Sequence, residues 1–279
     1  MSNSLRTAIR GLGQLLITLG VIVLIFIAYE LWFTDVVNAR VQHRLTTQLE
    51  KRWRANDDPL VGTPTPGTSS SSPPSSSTPA PGGTGQPGEP GLPGAKITDI
   101  PIGTGIAIIR MPRLGLDYAR AIVQGTGDAQ LLEGPGHYPQ SPLPGQVGDV
   151  GIAGHRVSKG SPFLDLDKLR PGDAIVIETK SFWYTYRVLG DPTTGSFTAG
   201  TPQGIPGREV VTPDNGAVLD PVPDHPGEAP TMRLLTLTTC TPKFSASHRL
   251  IIHARLAGSP RPTSAGPPPA LSAGASASG

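Results

Sequence analysis

The 279-residue chain has a single cysteine, Cys240. One thiol excludes an internal disulfide framework and any metal site built from several cysteines. Aromatic residues are also scarce, at 5%, and the net charge is only +2. No basic run interleaved with aromatics occurs, so nucleic acid is not an expected partner. What the chain has in abundance is glycine and proline, 35 and 32 residues. Much of that excess sits in one central tract and a short tail, leaving a foldable core of roughly 150–160 residues, enough to bury a real interior.

Composition divides the chain into six stretches. Residues 1–11 read as a cytoplasmic N-terminus. Leu12 to Phe33 is almost wholly apolar, close to the ~20 residues needed to cross a ~30 Å hydrocarbon core. Tyr29, Trp32 and Phe33 crowd its end as an interfacial belt would. No small-residue cleavage site follows, so residues 12–33 read as an uncleaved transmembrane signal anchor. Arg6 and Arg10 precede this run, while Arg40, Arg44, Lys51 and Arg52 follow it. The cation count alone favours a cytoplasmic C-terminus. The stalk and the chemistry downstream make sense outside the cell, so the expected topology is single-pass with an extracellular catalytic domain. Residues 34–61 form a juxtamembrane segment, with Val41, Leu45 and Leu49 at helical spacing, read as a polar, solvated helix. Residues 62–95 are mostly Ser, Thr, Pro and Gly with almost no apolar residue and bury too little to offset ordering entropy, which makes them a disordered linker. The catalytic domain is 96–257, and the tail 258–279 is expected to be disordered.

Between Lys96 and Leu256 the pattern becomes short apolar runs bounded by Gly, Pro and Asp. Candidate strands are Gly105–Arg110, Asp117–Val123, Gly148–His155, Ala174–Thr179, Trp183–Leu189, Glu209–Thr212, Met232–Cys240 and Arg249–Leu256, with one helical turn segment at Pro162–Leu169. Strands this short and this regularly punctuated predict an all-β barrel or sandwich.

Period-two alternation puts Leu235 and Leu237 on the core face of one strand and leaves Thr236, Thr238 and Cys240 on the other. After eight connecting residues, Thr241–His248, the chain returns at Arg249. An antiparallel pairing would therefore bring that cation beside the thiol. His155 ends a strand whose non-core face is Gly151, Ala153 and His155, small side chains that would floor a groove for an extended peptide. A thiol, an imidazole and a guanidinium on one groove make an acyl-transfer set of nucleophile, proton shuttle and oxyanion donor. A lone cysteine is more often packing than nucleophile, and His137, His225, His248 and His253 compete with His155. Spacing does not choose among them.

Thr236-Leu237-Thr238-Thr239-Cys240-Thr241-Pro242, with Arg249 nine residues past the cysteine, resembles the signature of the sortase family. Gly134-Pro135-Gly136-His137-Tyr138-Pro139 and Ile152-Ala153-Gly154-His155-Arg156 resemble the family's segment around its histidine. The similarity covers about Ile106 to Leu256, and its wording is most like the actinobacterial class E enzymes. The resemblance implies an eight-stranded β-barrel with short helical segments and a catalytic Cys240, His155 and Arg249. It also implies cleavage of an L-A-x-T-G or L-P-x-T-G sorting motif between Thr and Gly. The expected partners are secreted proteins carrying such signals, with an amine of a peptidoglycan precursor (lipid II) or a pilin lysine as acceptor. Thr238, Thr239 and Tyr138 are the candidate substrate-binding residues. No cofactor or metal is expected, since Asp214, Asp220, Asp224 and Glu228 read as scattered loop acids. Asp149 stands where many relatives have Asn, and the Gly/Pro-rich stretch 200–230 is long for a segment that shapes the substrate groove. The competing readings are another peptidoglycan cysteine peptidase, an L,D-transpeptidase, or a membrane-tethered cell-wall binding module with a sealed thiol. The order His155, Cys240, Arg249 disfavours the first two.

Overall fold

The computed structural model describes residues 3–55, 57–58, 60, 100–157 and 160–272. The expected linker 62–95 and the last residues of the tail, 273–279, lie outside the described residues.

Helix α1 runs from Asn3 to Arg54 without a proline and stops shortly before Pro59. It takes in both the expected span and the juxtamembrane segment. Among the described residues, no helix is long and apolar enough to cross a membrane. The side chains of residues 27–39, including the end of the apolar run, lie outside the described set.

The far end of α1 is not the solvated helix its polarity predicts. Leu49 is only 2% exposed and lies over Gly105. The Gln42 side-chain amide accepts from Ala121 N–H at 2.8 Å and donates to the Glu133 carbonyl. The cause is an incomplete strand edge. β2 (Ala119–Gln124) meets its neighbour β3 (Gly136–His137) only over Val123 and Gln124. Its first half therefore leaves main-chain groups unpaired, and Gln42 satisfies one of them.

The remaining strands are β1 (Gly105–Arg110), β4 (Gly148–Ala153), β5 (Ala174–Glu178), β6 (Phe182–Val188), β7 (Arg208–Val211), β8 (Arg233–Thr241), β9 (His248–Leu256) and β10 (Arg261–Pro262). They run in the order β10-β6-β5-β1-β2-β3-β4-β8-β9-β7, and β6 also pairs with β9. That last pairing, Tyr186 to Val188 against Leu256 to Ala254, closes an eight-stranded barrel and removes its open edges. β7 hangs on the first half of β9, and β10 on β6. The pairings β2–β3 and β4–β8 are parallel. A short helix α2 (Asp128–Glu133) precedes β3, and only Leu166–Lys168 of the expected helical segment winds into a 3-10 turn.

Inward-facing Ile109, Ile122, Ile152, Ile177, Tyr186, Leu235, Leu237 and Ile252 fill the barrel. The outer face of β8 is buried as well. Leu234 packs with Leu189, Ile205 and Val222, so the 200–230 stretch forms a cover over β8 and β9. The tail departs from its expected disorder. Arg261 and Pro262 pair with Trp183 and Phe182, while Ala270 and Leu271 pack on Ala174, Val176 and Trp183. Those three side chains leave an apolar patch outside the barrel, and the tail covers it.

Candidate active site

The site rests on strand register. In β8 and β9, Cys240 stands directly opposite Arg249. On the other side β4 runs parallel to β8, with Ala153 opposite Thr238. Two further residues along each chain bring His155 abreast of Cys240. A thiol, an imidazole-bearing residue and a guanidinium-bearing residue thus occupy adjacent ends of β8, β4 and β9. All three are partly exposed.

The β4 end is pinned against β8. Gly154 N–H donates to the Thr238 carbonyl at 3.0 Å, and the Thr239 hydroxyl donates to the Gly154 carbonyl at 2.7 Å. Gly154 has no room for a side chain, since a Cβ there would come within 2.6 Å of the Phe163 ring. Arg249 Nη1 donates to the carbonyls of Ala246 and His248 at 3.0 and 3.1 Å, which folds the connecting loop back onto its own strand.

The other histidines sit elsewhere. His137 is fully buried between Gln124, Ser141 and the Pro142 carbonyl, and burial pushes its imidazole down to about 4. His225 bonds the Pro223 carbonyl, and His248 is exposed beside Ser247. Register alone separates His155 from them.

The candidate substrate residues already have partners within the protein. Thr239 is buried, and its hydroxyl donates to the Gly154 carbonyl, so it staples the two strand ends together. Thr238 is buried with its hydroxyl 3.0 Å from the Tyr138 hydroxyl. Nor does Gly151 floor an open groove. A Cβ there would meet the Tyr138 ring at 2.8 Å and Leu219 at 3.0 Å, so those side chains already fill the space.

Further along the same outer face lies a polar chain that residue spacing did not predict. The Thr236 hydroxyl donates to Asp149 at 2.8 Å and lies 2.7 Å from His253 Nδ1. His253 Nε2 in turn meets Glu209 at 3.0 Å. Asp224, expected to be a scattered loop acid, joins this group, with a ligand atom from each of Glu209, Asp224 and His253 within 4.8 Å of the others. Spacing gave no signal, because His253 shares its β9 face with Arg249, Ile251 and Arg255 and so reads as one more polar outer residue, and its partners come from distant segments.

Asp149 supplies a pH test. Loss of hydration pushes its carboxyl up to about 7, against the pull of His253 and of the Thr236 hydroxyl. From about pH 4 to about pH 7 the fold keeps a proton that the unfolded chain has lost, so stability falls as pH rises through that window. Asp149→Asn removes this dependence. Relative to the parent, it is expected to gain melting temperature steadily across the window, and paired thermal melts check it. The opposite slope from His137 cancels in the difference, and a gain that shrinks as pH rises contradicts the assignment.

A closed barrel that shows its lone thiol at a strand end, between a histidine and an arginine on the flanking strands, is the architecture these observations define. The chain belongs to the sortase family, whose Sortase domain description matches residues 109–257. It is 31% identical over 271 residues to Sortase SrtE1 of Streptomyces coelicolor, covering 95% of this chain but only 61% of that protein's length. The solved SrtF sortase from Corynebacterium diphtheriae is 37% identical with a TM-score of 0.54, covering 61% of this chain and 93% of that one. Sortase E1 from Streptomyces coelicolor, solved with a tripeptide in the active site, is 34% identical with a TM-score of 0.50, covering 61% and 97%.

Proposed function

We propose that this chain is a membrane-anchored cysteine transpeptidase that cleaves a C-terminal L-A-x-T-G or L-P-x-T-G motif between Thr and Gly. The observation that carries this reading is the Cys240–Arg249 register pair with His155 alongside. The Cys240 thiolate attacks the Thr carbonyl, and Arg249 offsets the charge that develops on its oxygen. His155 gives a proton to the departing Gly nitrogen as the C–N bond breaks, leaving a thioester. An acceptor amine then attacks the thioester, His155 takes the proton that amine sheds, and the thiolate leaves. The acceptor is an amine of a peptidoglycan precursor or a pilin lysine. A binding module with a sealed thiol fits less well, because Cys240 is partly exposed.

Anchoring is supported by the apolar run Leu12–Phe33 within α1. Leu12, Leu15, Ile17, Ile22, Leu24 and Phe26 all stand exposed along that helix, a surface suited to lipid. A single-pass arrangement with the barrel on the cell-wall side accords with the anchor, with the stretch of 62–95 between helix and barrel, and with sorting chemistry outside the cell, against the cation count.

The full chain in detergent, given peptides of both motifs and a small amine, tests the reading. The expected result is release of the Gly fragment, an acyl-enzyme mass on Cys240 and a Thr–amine product. No acyl-enzyme with either motif would sink it.

A further inference from the structure

Arg156, next to His155, is 5% exposed. Burying a guanidinium is costly unless its donors are well met, and here they are met unevenly. Nη2 pairs with Asp167 at 3.0 Å. Nη1 donates to the Thr241 hydroxyl at 2.8 Å and lies 3.5 Å from the Cys240 carbonyl. Nε is buried and meets no partner among the described residues. What the placement does achieve is geometric. The residue after the histidine is tied to the residue after the cysteine, across the gap where β4 and β8 have stopped pairing.

A second tie spans the same gap. Lys243, just beyond Thr241, meets Asp165 at 3.3 Å. Asp165 and Asp167 belong to the segment that follows His155 and folds back so that Phe163 N–H bonds the His155 carbonyl at 3.0 Å. The half-buried Lys243 pair is partly screened and weak. Arg156 itself is shielded from water, although Asp167 is 44% exposed, and the rigid fork of the guanidinium fixes two directions at once.

We propose that Arg156 is a positioning residue that clamps the His155 strand end to the Cys240 strand end and so sets the approach of imidazole to thiol. This rests on the transpeptidase reading. Proton transfer between the two groups requires hydrogen-bond reach, and a misplacement of about 1 Å can cost a hundredfold in rate. Arg156 touches neither the peptide nor the reacting atoms in this scheme.

The test uses the full chain with a sorting-motif peptide and an amine. Arg156→Gln is expected to lower kcat about a hundredfold with KM within about threefold of the parent. Alkylation of Cys240 by a small reagent should slow in the same variant. Arg156→Lys should recover part of kcat, because an ammonium can meet Thr241 or Asp167 but cannot span both as the fork does. Thr241→Val, which leaves the buried cation with Asp167, should lower kcat in the same direction, and the double variant should be no worse than Arg156→Gln alone. If Arg156→Gln fails to fold, Thr241→Val carries the same comparison. Earlier melting with an unchanged kcat would overturn the clamp, as would fully additive losses. A parent chain that turns over no peptide would defeat the transpeptidase reading instead, and the alkylation rates would still decide the clamp.

Discussion

Cys240→Ala is expected to abolish both acyl-enzyme formation and peptide cleavage, a loss on the order of 10⁵–10⁶-fold in kcat. A covalent route depends on one atom that can attack and later leave, and the sequence has no second thiol to take over. The structure gives the substitution little else to disturb. Cys240 is partly exposed near the end of β8, after the interior positions Leu235 and Leu237. Its neighbours Thr239 and Thr241 keep their hydroxyl contacts to Gly154 and Arg156. The melting temperature should therefore stay close to that of the parent while activity disappears, and mass spectrometry of the protein after peptide exposure should find no adduct. Cleavage by the alanine variant at a rate near the parent's would remove the thiol from the mechanism. Loss of folding would show that Cys240 serves packing after all.

Much of the barrel was legible because its strands carry local signals. The runs at 105–110, 117–123, 148–155, 174–179, 183–189, 209–212, 232–240 and 249–256 each match an observed strand to within about two residues. β3 and β10 escaped notice because two residues carry no periodicity, and α2 because six residues hardly form a helical stripe. Closure was not legible either, since the β6–β9 pairing joins residues some 70 positions apart and leaves no mark in either strand alone.

The site divides along the same line. Alternation and an eight-residue return put Cys240 near Arg249, a local inference that the β8–β9 register matches. Choosing His155 over His137 or His253 needed the parallel β4–β8 pairing, which is non-local. The outer face misled for a related reason. Polar residues such as Thr236, His253 and Arg156 default to solvent in a sequence reading, yet the 189–232 cover and the loop after His155 bury them. Once covered, each had to find a partner, and those partners lie far away in the chain.

Arg249→Ala is expected to lower kcat by about 10²–10³-fold, the loss typical of removing one oxyanion donor, with a much smaller change in KM. The size of the loss depends on when the cation acts. In the ground state the peptide carbonyl is neutral and asks little of a guanidinium. As the thiolate adds, charge gathers on that oxygen, and a fixed cation nearby lowers the barrier rather than the binding energy. Arg249 is suited to this because Nη1 is held by the Ala246 and His248 carbonyls, which orients the guanidinium before any substrate arrives. The same contacts mean that alanine also frees the 242–247 loop, so a loss of rate alone has two explanations. Arg249→Lys separates them. Lysine keeps the charge but cannot bond the Ala246 and His248 carbonyls through one nitrogen and keep other donors free on a rigid fork. If charge is the dominant contribution, lysine should regain at least tenfold over alanine. If loop order dominates, lysine should be as slow as alanine. Steady-state kcat and KM for parent, lysine and alanine, together with the rate of Cys240 alkylation, check the prediction. Alkylation involves no oxyanion, so it should change little in either variant. An alanine variant within tenfold of the parent's kcat would take Arg249 out of the chemistry and leave it as a loop anchor.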